Sequence, residues 1–167
     1  GGTATGNGGG ISNRENLTLT NSTVSGNSAS DDGGGIYNNR YGTATLTNST
    51  VSGNSANNGG GIHNRYGGTA TLTNSTVSGN SANRSGGGIY NNRYGTATLT
   101  NSTVSGNSAN DRGGGIDNDG TATLTNSTVS SNSASFGGGI DNDGTATLTN
   151  STVSGNSANN GGGIHNR

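Results

Sequence analysis

The chain has 167 residues, of which 35 are glycine, and it contains no Pro, Cys, Met or Trp. Only 23% of the residues are hydrophobic, too few for the core of an ordinary globular enzyme, and the absence of Cys excludes disulfides and thiolate metal sites. The formal net charge of −1 is far from the high charge that usually accompanies disorder. The basic residues are seven scattered arginines, which argues against nucleic acid as a partner, and no apolar run approaches the ~20 residues of a membrane span.

A repeat explains how so few apolar residues can suffice. The motif Gly-Gly-Gly-Ile recurs seven times, and its isoleucines lie 24 to 27 residues apart at Ile11, Ile36, Ile62, Ile89, Ile116, Ile140 and Ile164. Between successive copies lies Leu-Thr-Asn-Ser-Thr-Val-Ser, in which Leu and Val are always five residues apart. The spacing varies only before the glycines and between each Ile and the next Leu. A constant register with two variable joints predicts rigid strands connected by loops.

The strands are predicted from alternation with a period of two. In the segment 43–47, Thr-Ala-Thr-Leu-Thr, Ala and Leu face one side and the threonines the other. Shorter strands are predicted around Val51 and Ile62, with an Asn at each corner. Three strands per coil predict an all-β parallel β-helix (solenoid) of about seven coils of 24–27 residues with no capping coil. Residues 1–167 are predicted to form one such domain, or an excerpt of a longer array, with Ile, Leu, Val and Ala stacked inward.

The corner asparagines are predicted to form structural ladders, in which each side-chain amide bonds to its copy in the next coil. The predicted ladder residues are Asn48, Asn54, Asn64, Asn74, Asn80, Asn101, Asn107, Asn126, Asn132, Asn150 and Asn156. Each Asn-Ser-Thr copy also matches the N-glycosylation pattern, but a ladder amide would point inward and already be bonded. The candidate glycosylation site is therefore Asn83, which lies in a variable loop.

Two motifs in each unit carry a family resemblance. Gly34-Gly35-Ile36 is similar to a Gly-Gly-Ala-Ile-type motif, and Val51-Ser52-Gly53-Asn54 stands where a Phe-x-x-Asn motif would be, with Val in place of Phe. Those motifs belong to right-handed parallel β-helix repeats of bacterial surface proteins, including the polymorphic outer membrane protein repeats, which the chain resembles over nearly its whole length. The resemblance implies a bacterial passenger, adhesin or surface rod that is extracellular or displayed on the cell surface.

No residue pattern predicts catalysis, and the chain is not expected to be an enzyme. The two histidines, His63 and His165, lie four coils apart, each directly after an Ile. Other coils carry Ser, Tyr or Asp at this position, which alternates out of the core. We therefore expect solvated surface residues there, without a nucleophile and base in contact.

The acidic motif Asp-Asn-Asp-Gly is the candidate metal site. It occurs twice, 24 residues apart, and stacking would place the carboxylates of Asp117, Asp119, Asp141 and Asp143 on adjacent coils. Such an oxygen-rich group suits Ca²⁺. The alternative is that these are turn sequences without a metal, in which case the protein has no cofactor.

Three coils share an Arg-Tyr loop, formed by Arg40 and Tyr41, Arg65 and Tyr66, and Arg93 and Tyr94. Stacked rings and guanidinium groups predict a strip that contacts glycans. The alternative is that the copied loops simply pack on one another by cation–π contact.

Outward-facing threonines form a regular array, which resembles the Thr-x-Thr surfaces of ice-binding β-solenoids. The alternative is that Thr is a soluble residue that suits a solvent-facing strand. The array comprises Thr43, Thr45, Thr47, Thr69, Thr71, Thr73, Thr96, Thr98, Thr100, Thr121, Thr123, Thr125, Thr145, Thr147 and Thr149.

The two ends of the sequence predict self-association. If the C-terminal run 161–167 is placed before the N-terminal run 1–5, the joined sequence nearly reproduces the internal run 62–71. The joined sequence lacks only a residue that corresponds to Tyr66. We therefore expect copies to join end to end and complete a coil at the joint. The expected function is structural, as a filament subunit or the stalk of a surface protein. The alternative is an ice-binding or glycan-binding module.

Overall fold

The computed structural model describes all 167 residues and contains 26 short strands, each paired with its counterparts in neighbouring coils. Every pairing is parallel, and the strands form four sheets along the solenoid axis, which we name after their inward-facing residue. No element is a helix, so the structure contains no helix that could cross a membrane.

Two sheets come from the Leu-Thr-Asn-Ser-Thr-Val-Ser block. The Leu sheet has six strands, β3 (Asn16–Thr20), β7 (Thr43–Thr47), β11 (Thr69–Thr73), β15 (Thr96–Thr100), β19 (Thr121–Thr125) and β23 (Thr145–Thr149). The Val sheet has six strands, β4 (Thr23–Ser25), β8 (Thr50–Ser52), β12 (Thr76–Ser78), β16 (Thr103–Ser105), β20 (Thr128–Ser130) and β24 (Thr152–Ser154).

The other two sheets flank the glycine run. The Ala sheet has seven strands, β1 (Thr3–Ala4), β5 (Ser28–Ala29), β9 (Ser55–Asn58), β13 (Ser81–Ser85), β17 (Ser108–Ala109), β21 (Ser133–Phe136) and β25 (Ser157–Asn160). The Ile sheet has seven strands, β2 (Ile11–Asn13), β6 (Ile36–Asn38), β10 (Ile62–Asn64), β14 (Ile89–Asn91), β18 (Ile116–Asn118), β22 (Ile140–Asn142) and β26 (Ile164–Asn166).

The parallel β-solenoid is confirmed, but each coil has four strands rather than three. The strand missed is that of the Ala sheet, which holds as few as two residues and only one apolar side chain. Its period-2 signal is therefore too short to distinguish it from the variable loop that follows. Six coils carry all four strands, and residues 1–13 supply only β1 and β2, so the structure has about six turns rather than seven.

The stacked core is also confirmed. The inward Leu, Val and Ile of each internal coil are buried and lie in register on the same residue of the next coil. The core cluster consists of columns of Ile, Val, Leu and Ala, in which the Leu sheet supplies both Leu and Ala, and its largest fully buried members include Ile62, Leu72, Val77 and Ile89. Each coil thus buries its apolar side chains against its neighbours and needs no core of its own.

The glycine run is required because backbones of adjacent coils approach closely there. A Cβ on Gly88 would lie 2.6 Å from the carbonyl oxygen of Gly115 and 3.0 Å from the Asn107 amide nitrogen. Gly79 differs, since it has a φ of +61° but nothing within 4 Å of a Cβ, and Ser131 occupies the corresponding corner with a φ of 56°. The two glycines therefore serve different purposes.

Gly88→Ala is expected to lower the free energy of unfolding by about 3 kcal/mol or more, because the new methyl group meets backbone on the next coil. Gly79→Ala is the matched control and is expected to cost only about 1 kcal/mol, the penalty of a left-handed backbone. Urea denaturation of both variants measures the difference. Equal losses would contradict the role assigned to the close approach.

Candidate functional site

The outer face of the Ile sheet carries a row of polar and aromatic side chains. The residue after each Ile pairs in register with its counterparts, in the order Ser12, Tyr37, His63, Tyr90, Asp117, Asp141 and His165. The prediction that this position is solvated was wrong for the internal coils, where His63 is 3% exposed, Asp117 1% and Asp141 0%. The position does point away from the core, but the loop before the glycines covers it. The loop residue Asp32 lies 3.4 Å from His63. A Cβ added at Gly59, the first residue of the glycine run, would lie 2.8 Å from the Cβ of His63.

Three members of the row form an aromatic stack. The His63 ring packs edge-on between Tyr37 and Tyr90, with centroid separations of 5.3 and 4.9 Å. Its Nδ1 lies 3.4 Å from a carboxylate oxygen of Asp32, and neither ring nitrogen makes a hydrogen bond. Burial acts to raise the pKa of Asp32, but His63, Asn58 and Arg65 together outweigh it and leave that pKa below its ordinary value. No hydroxyl group is hydrogen-bonded to His63.

A shallow depression of about 450 Å³ lies over Tyr37 and His63. One wall is the loop region before the glycines and the other is the corner between the Ile and Leu sheets. The remaining lining residues are Asn7, Asp31, Asp32, Asn57, Asn58, Arg65, Arg84 and Asn92. The depression is almost entirely polar, and it holds both acidic and basic groups.

Three of the four aspartates predicted to bind Ca²⁺ contact other side chains of the protein. Asp141 contacts Nδ1 of His165 at 2.7 Å and accepts a hydrogen bond from Arg167 at 2.6 Å, and Asp143 lies 2.6 Å from Nε of the same arginine. Asp119 accepts a hydrogen bond from the Tyr90 hydroxyl at 2.9 Å. These and the remaining carboxylates and histidines form no group of three or more that could hold a metal ion. Calcium binding at these positions stays a prediction without a preformed cage.

Asp117 is the exception among the four aspartates. It is buried, and neither carboxylate oxygen has a hydrogen-bond partner. Burial raises the pKa of Asp117 to about 7, and the nearby carboxylate of Asp119 adds to the effect, while Arg112 opposes it. A proton on this carboxyl group is therefore retained close to neutral pH.

Two buried ladders of asparagine run the length of the solenoid. In the first, Asn54, Asn80, Asn107 and Asn132 each donate from Nδ2 to the next Asn at 2.9–3.0 Å, ending at Asn156. In the second, Asn64 donates to Asn91 at 2.8 Å. The sequence analysis named only Asn64 of this second ladder, whose other members are Asn13, Asn38, Asn91, Asn118, Asn142 and Asn166.

The asparagines of the Asn-Ser-Thr blocks behave differently from the expectation. They are exposed with φ near 50°, so they turn a corner on the surface instead of pointing inward; these residues are Asn48, Asn74, Asn101, Asn126 and Asn150. Only two longer contacts link them, from Asn74 to Asn48 at 3.3 Å and from Asn101 to Asn74 at 3.2 Å. The inward residue at this corner is the next serine, whose hydroxyl accepts from the backbone of the preceding coil, as Ser75 does from Ser49 at 3.1 Å.

Exposure therefore does not single out Asn83 among the sequons. Asn83 is exposed, and its amide donates to the side chain of Asn57 at 3.1 Å. The block asparagines are equally on the surface, so the argument that inward orientation excludes them from glycosylation was wrong.

The Arg-Tyr loops pack on one another, but identical residues of neighbouring coils do not all stack on each other. Arg40 lies 5.0 Å from the ring centres of both Tyr41 and Tyr66, and Tyr66 packs edge-on against Tyr94 at 4.9 Å. The middle loop, that of Arg65 and Tyr66, is displaced by one residue relative to the other two. Arg65 follows its ladder asparagine directly, whereas Asn39 and Asn92 stand at that position in the neighbouring coils. Arginine and tyrosine therefore interleave along this corner.

The predicted Thr array lies on the outer face of the Leu sheet. The threonines of five strands, β7 to β23, pair in register, and those of the internal coils are partly exposed. The geometry is the regular grid that the sequence predicted. Ice binding by this face stays a prediction.

The fold and its ladders define a parallel β-solenoid built from 24- to 27-residue repeats. The family model for the right-handed beta helix region matches residues 6–167, and the chain belongs to that family. No curated protein and no solved structure matches the chain.

Proposed function

We propose that the chain is a structural, non-enzymatic rod, a stalk segment of an extracellular or cell-surface protein. The observation that carries the proposal is the uniformity of the coil-to-coil step. Each internal step uses the same Ile, Leu and Val columns, the same two buried asparagine ladders and the same glycine contacts. A stack of identical steps can be lengthened without redesign, which is what a spacer requires.

The two ends of the rod leave strand edges and apolar side chains uncovered. Strands β23 to β26 at one end and β1 to β4 at the other pair on one side only. The inward Ile164 is 43% exposed, whereas Ile140 one coil below is 1% exposed. Another coil stacked on this edge would cover the apolar column and continue the ladders.

The expected joint between two copies has less support than the stalk. That joint required residues 3–5 to continue the Leu sheet, but β1 belongs to the Ala sheet, where Thr3 pairs with Ser28. A second copy placed with β1 on β25 and β2 on β26 would leave the Leu and Val sheets without a strand for one step. The end-to-end filament is therefore the weaker of the two structural functions.

Duplication of one repeat tests the stalk. A variant with residues 117–140 inserted a second time after Ile140 is expected to lengthen the rod by one coil, ~4.8 Å, and to keep or raise its melting temperature. Small-angle X-ray scattering measures the longest dimension and the cross-section. The control carries the same 24 residues in scrambled order, which cannot join the ladders and is expected to loop out. An unchanged rod length in the duplicated variant would contradict the proposal.

A further inference from the structure

Five of the seven arginines form no ion pair with a carboxylate. The ion pairs of arginine all use Arg112 and Arg167, which contact Asp111, Asp141 and Asp143. The five arginines without a carboxylate partner are Arg14, Arg40, Arg65, Arg84 and Arg93. In a protein with a net charge of −1, this separation of positive from negative groups is not required by composition.

Four of these arginines lie along one edge of the rod. Arg14, Arg40, Arg65 and Arg93 belong to four successive coils and are exposed at the corner between the Ile and Leu sheets. We call them, with Tyr41, Tyr66 and Tyr94, the Arg-Tyr strip. Glu15 is the one acidic residue at this corner in these coils. With a rise of ~4.8 Å per coil, the arginines span about 14 Å along the axis.

The strip has a definite end. In the next two coils the same corner carries Asp119 and Asp143 instead of arginine. A depression of about 330 Å³ lies at the boundary, lined by Arg93 and Tyr94 on one side and by Asp119 on the other. A second depression of about 310 Å³, lined by Arg40, Arg65, Tyr66 and Asn92, lies within the strip.

The tyrosines give the strip a second chemical character. Tyr41 and Tyr94 are 67% and 73% exposed, far more than tyrosines that serve packing. Arg40 also donates to the Tyr41 hydroxyl at 3.2 Å, which holds its guanidinium group between the rings. Charged forks, phenol hydroxyls and ring surfaces thus repeat with the period of the coils.

We propose that the Arg-Tyr strip binds a linear polysaccharide that carries an anionic group, carboxylate or sulfate, along its chain. Guanidinium groups recognise both anions through paired N–H donors, and the rings pack against the apolar faces of sugars. A single-stranded nucleic acid fits less well, because Tyr66 and Tyr94 pack edge-on, with an interplanar angle of 71°, and so form no continuous platform on which successive bases could stack. This site is independent of the stalk function, since it lies on outward loops.

Titration calorimetry at low salt tests the proposal, with heparin as the sulfated probe, polygalacturonate as the carboxylated probe and dextran as the neutral polymer. Wild-type protein is expected to bind one or both anionic probes, with affinity that falls as salt rises, and not to bind dextran. Arg40→Gln and Arg93→Gln are each expected to weaken binding about fivefold or more. Arg84→Gln is the control, because it removes the same charge at the other edge of the Ile sheet, where Arg84 lines neither depression of the strip.

Each outcome is decisive. Loss in the two strip variants with unchanged binding in the Arg84→Gln variant supports the site, and the probe bound more tightly identifies sulfate or carboxylate. Equal losses of affinity in all three variants would show that binding depends only on the net charge of the protein, and would overturn the proposed site. Absence of binding to both anionic probes, or tighter binding of single-stranded DNA, would also overturn it. Thermal melting followed by circular dichroism checks that each variant is folded. No change in melting temperature is expected, because these side chains are exposed and do not contribute to the core.

Discussion

Replacing Asp117 with Asn is expected to raise the free energy of unfolding at pH 8 by about 2–4 kcal/mol. Asp117 is buried without a hydrogen-bond partner, and its pKa is raised from 3.8 to about 7. An ionised carboxylate at this position is buried without a hydrogen bond, and the charge of Arg112 compensates it only in part. A neutral amide of the same shape avoids that cost.

The sign of the pH dependence follows from the raised pKa. Between pH 4 and 7 the folded protein holds a proton on Asp117 that the unfolded chain has released, so this residue makes stability fall as the pH rises through that range. Below about pH 4 both states are protonated and the penalty disappears. Denaturation of wild type and Asp117→Asn across pH 3.5–8 should therefore give equal stabilities at the acid end and a growing difference above it.

Asp141→Asn provides the matched control for this experiment. Asp141 occupies the same position one coil further on, but His165 and Arg167 contact its carboxylate. Its substitution is expected to destabilise the protein, by about 1–2 kcal/mol, since both partners are partly exposed. If both variants or neither variant gained stability, the result would contradict the claim that Asp117 is buried unpaired whereas Asp141 is paired.

Asn107→Ala is expected to lower the free energy of unfolding by about 3–5 kcal/mol. The Asn107 amide donates to the Val77 carbonyl and to Asn132, and its side-chain oxygen accepts from both the backbone and the side chain of Asn80. Alanine would leave the buried Asn80 N–H and Val77 C=O without these partners. An unpaired buried polar group costs about 1–3 kcal/mol, and the substitution creates several.

The surface asparagine Asn101 supplies the comparison. Asn101→Gly removes one 3.2 Å contact with Asn74 and keeps a residue suited to its φ of 49°. A change within about 0.5 kcal/mol is expected. Urea denaturation measures both variants, and similar values for the two would show that burial in the ladder contributes nothing beyond the corner conformation.

The parts of the fold that were predictable are those with a repeated apolar signal. Ile62, Leu72 and Val77 have counterparts every 24 to 27 residues, with Leu and Val always five residues apart, which is enough to infer a stacked parallel solenoid. The Ala sheet was missed because its strands carry one small side chain and run directly into a loop of variable length. Local alternation needs more residues than this strand has.

The site was harder to predict because burial on the outer face depends on loops. The alternation correctly directs His63 and Asp117 away from the core, but only the three-dimensional course of the preceding loop shows that they are covered. The corner asparagines illustrate the same limit. Asn48 and Asn54 both follow strands, yet only Asn54 points inward, since the next serine fills the first corner. Sequence alone does not distinguish two corners with the same residue.

Diffraction from concentrated, aligned protein tests the stacked rod most directly. The account predicts a strong reflection at ~4.8 Å along the rod axis, because every strand pairs with its copy one coil away in that direction. The ~10 Å spacing of stacked sheets should not dominate the perpendicular direction, since four sheets enclose one core. An axial reflection at ~4.8 Å from monomeric rods would establish coil stacking. A reflection at this spacing perpendicular to the rod axis, or none at all, would contradict it.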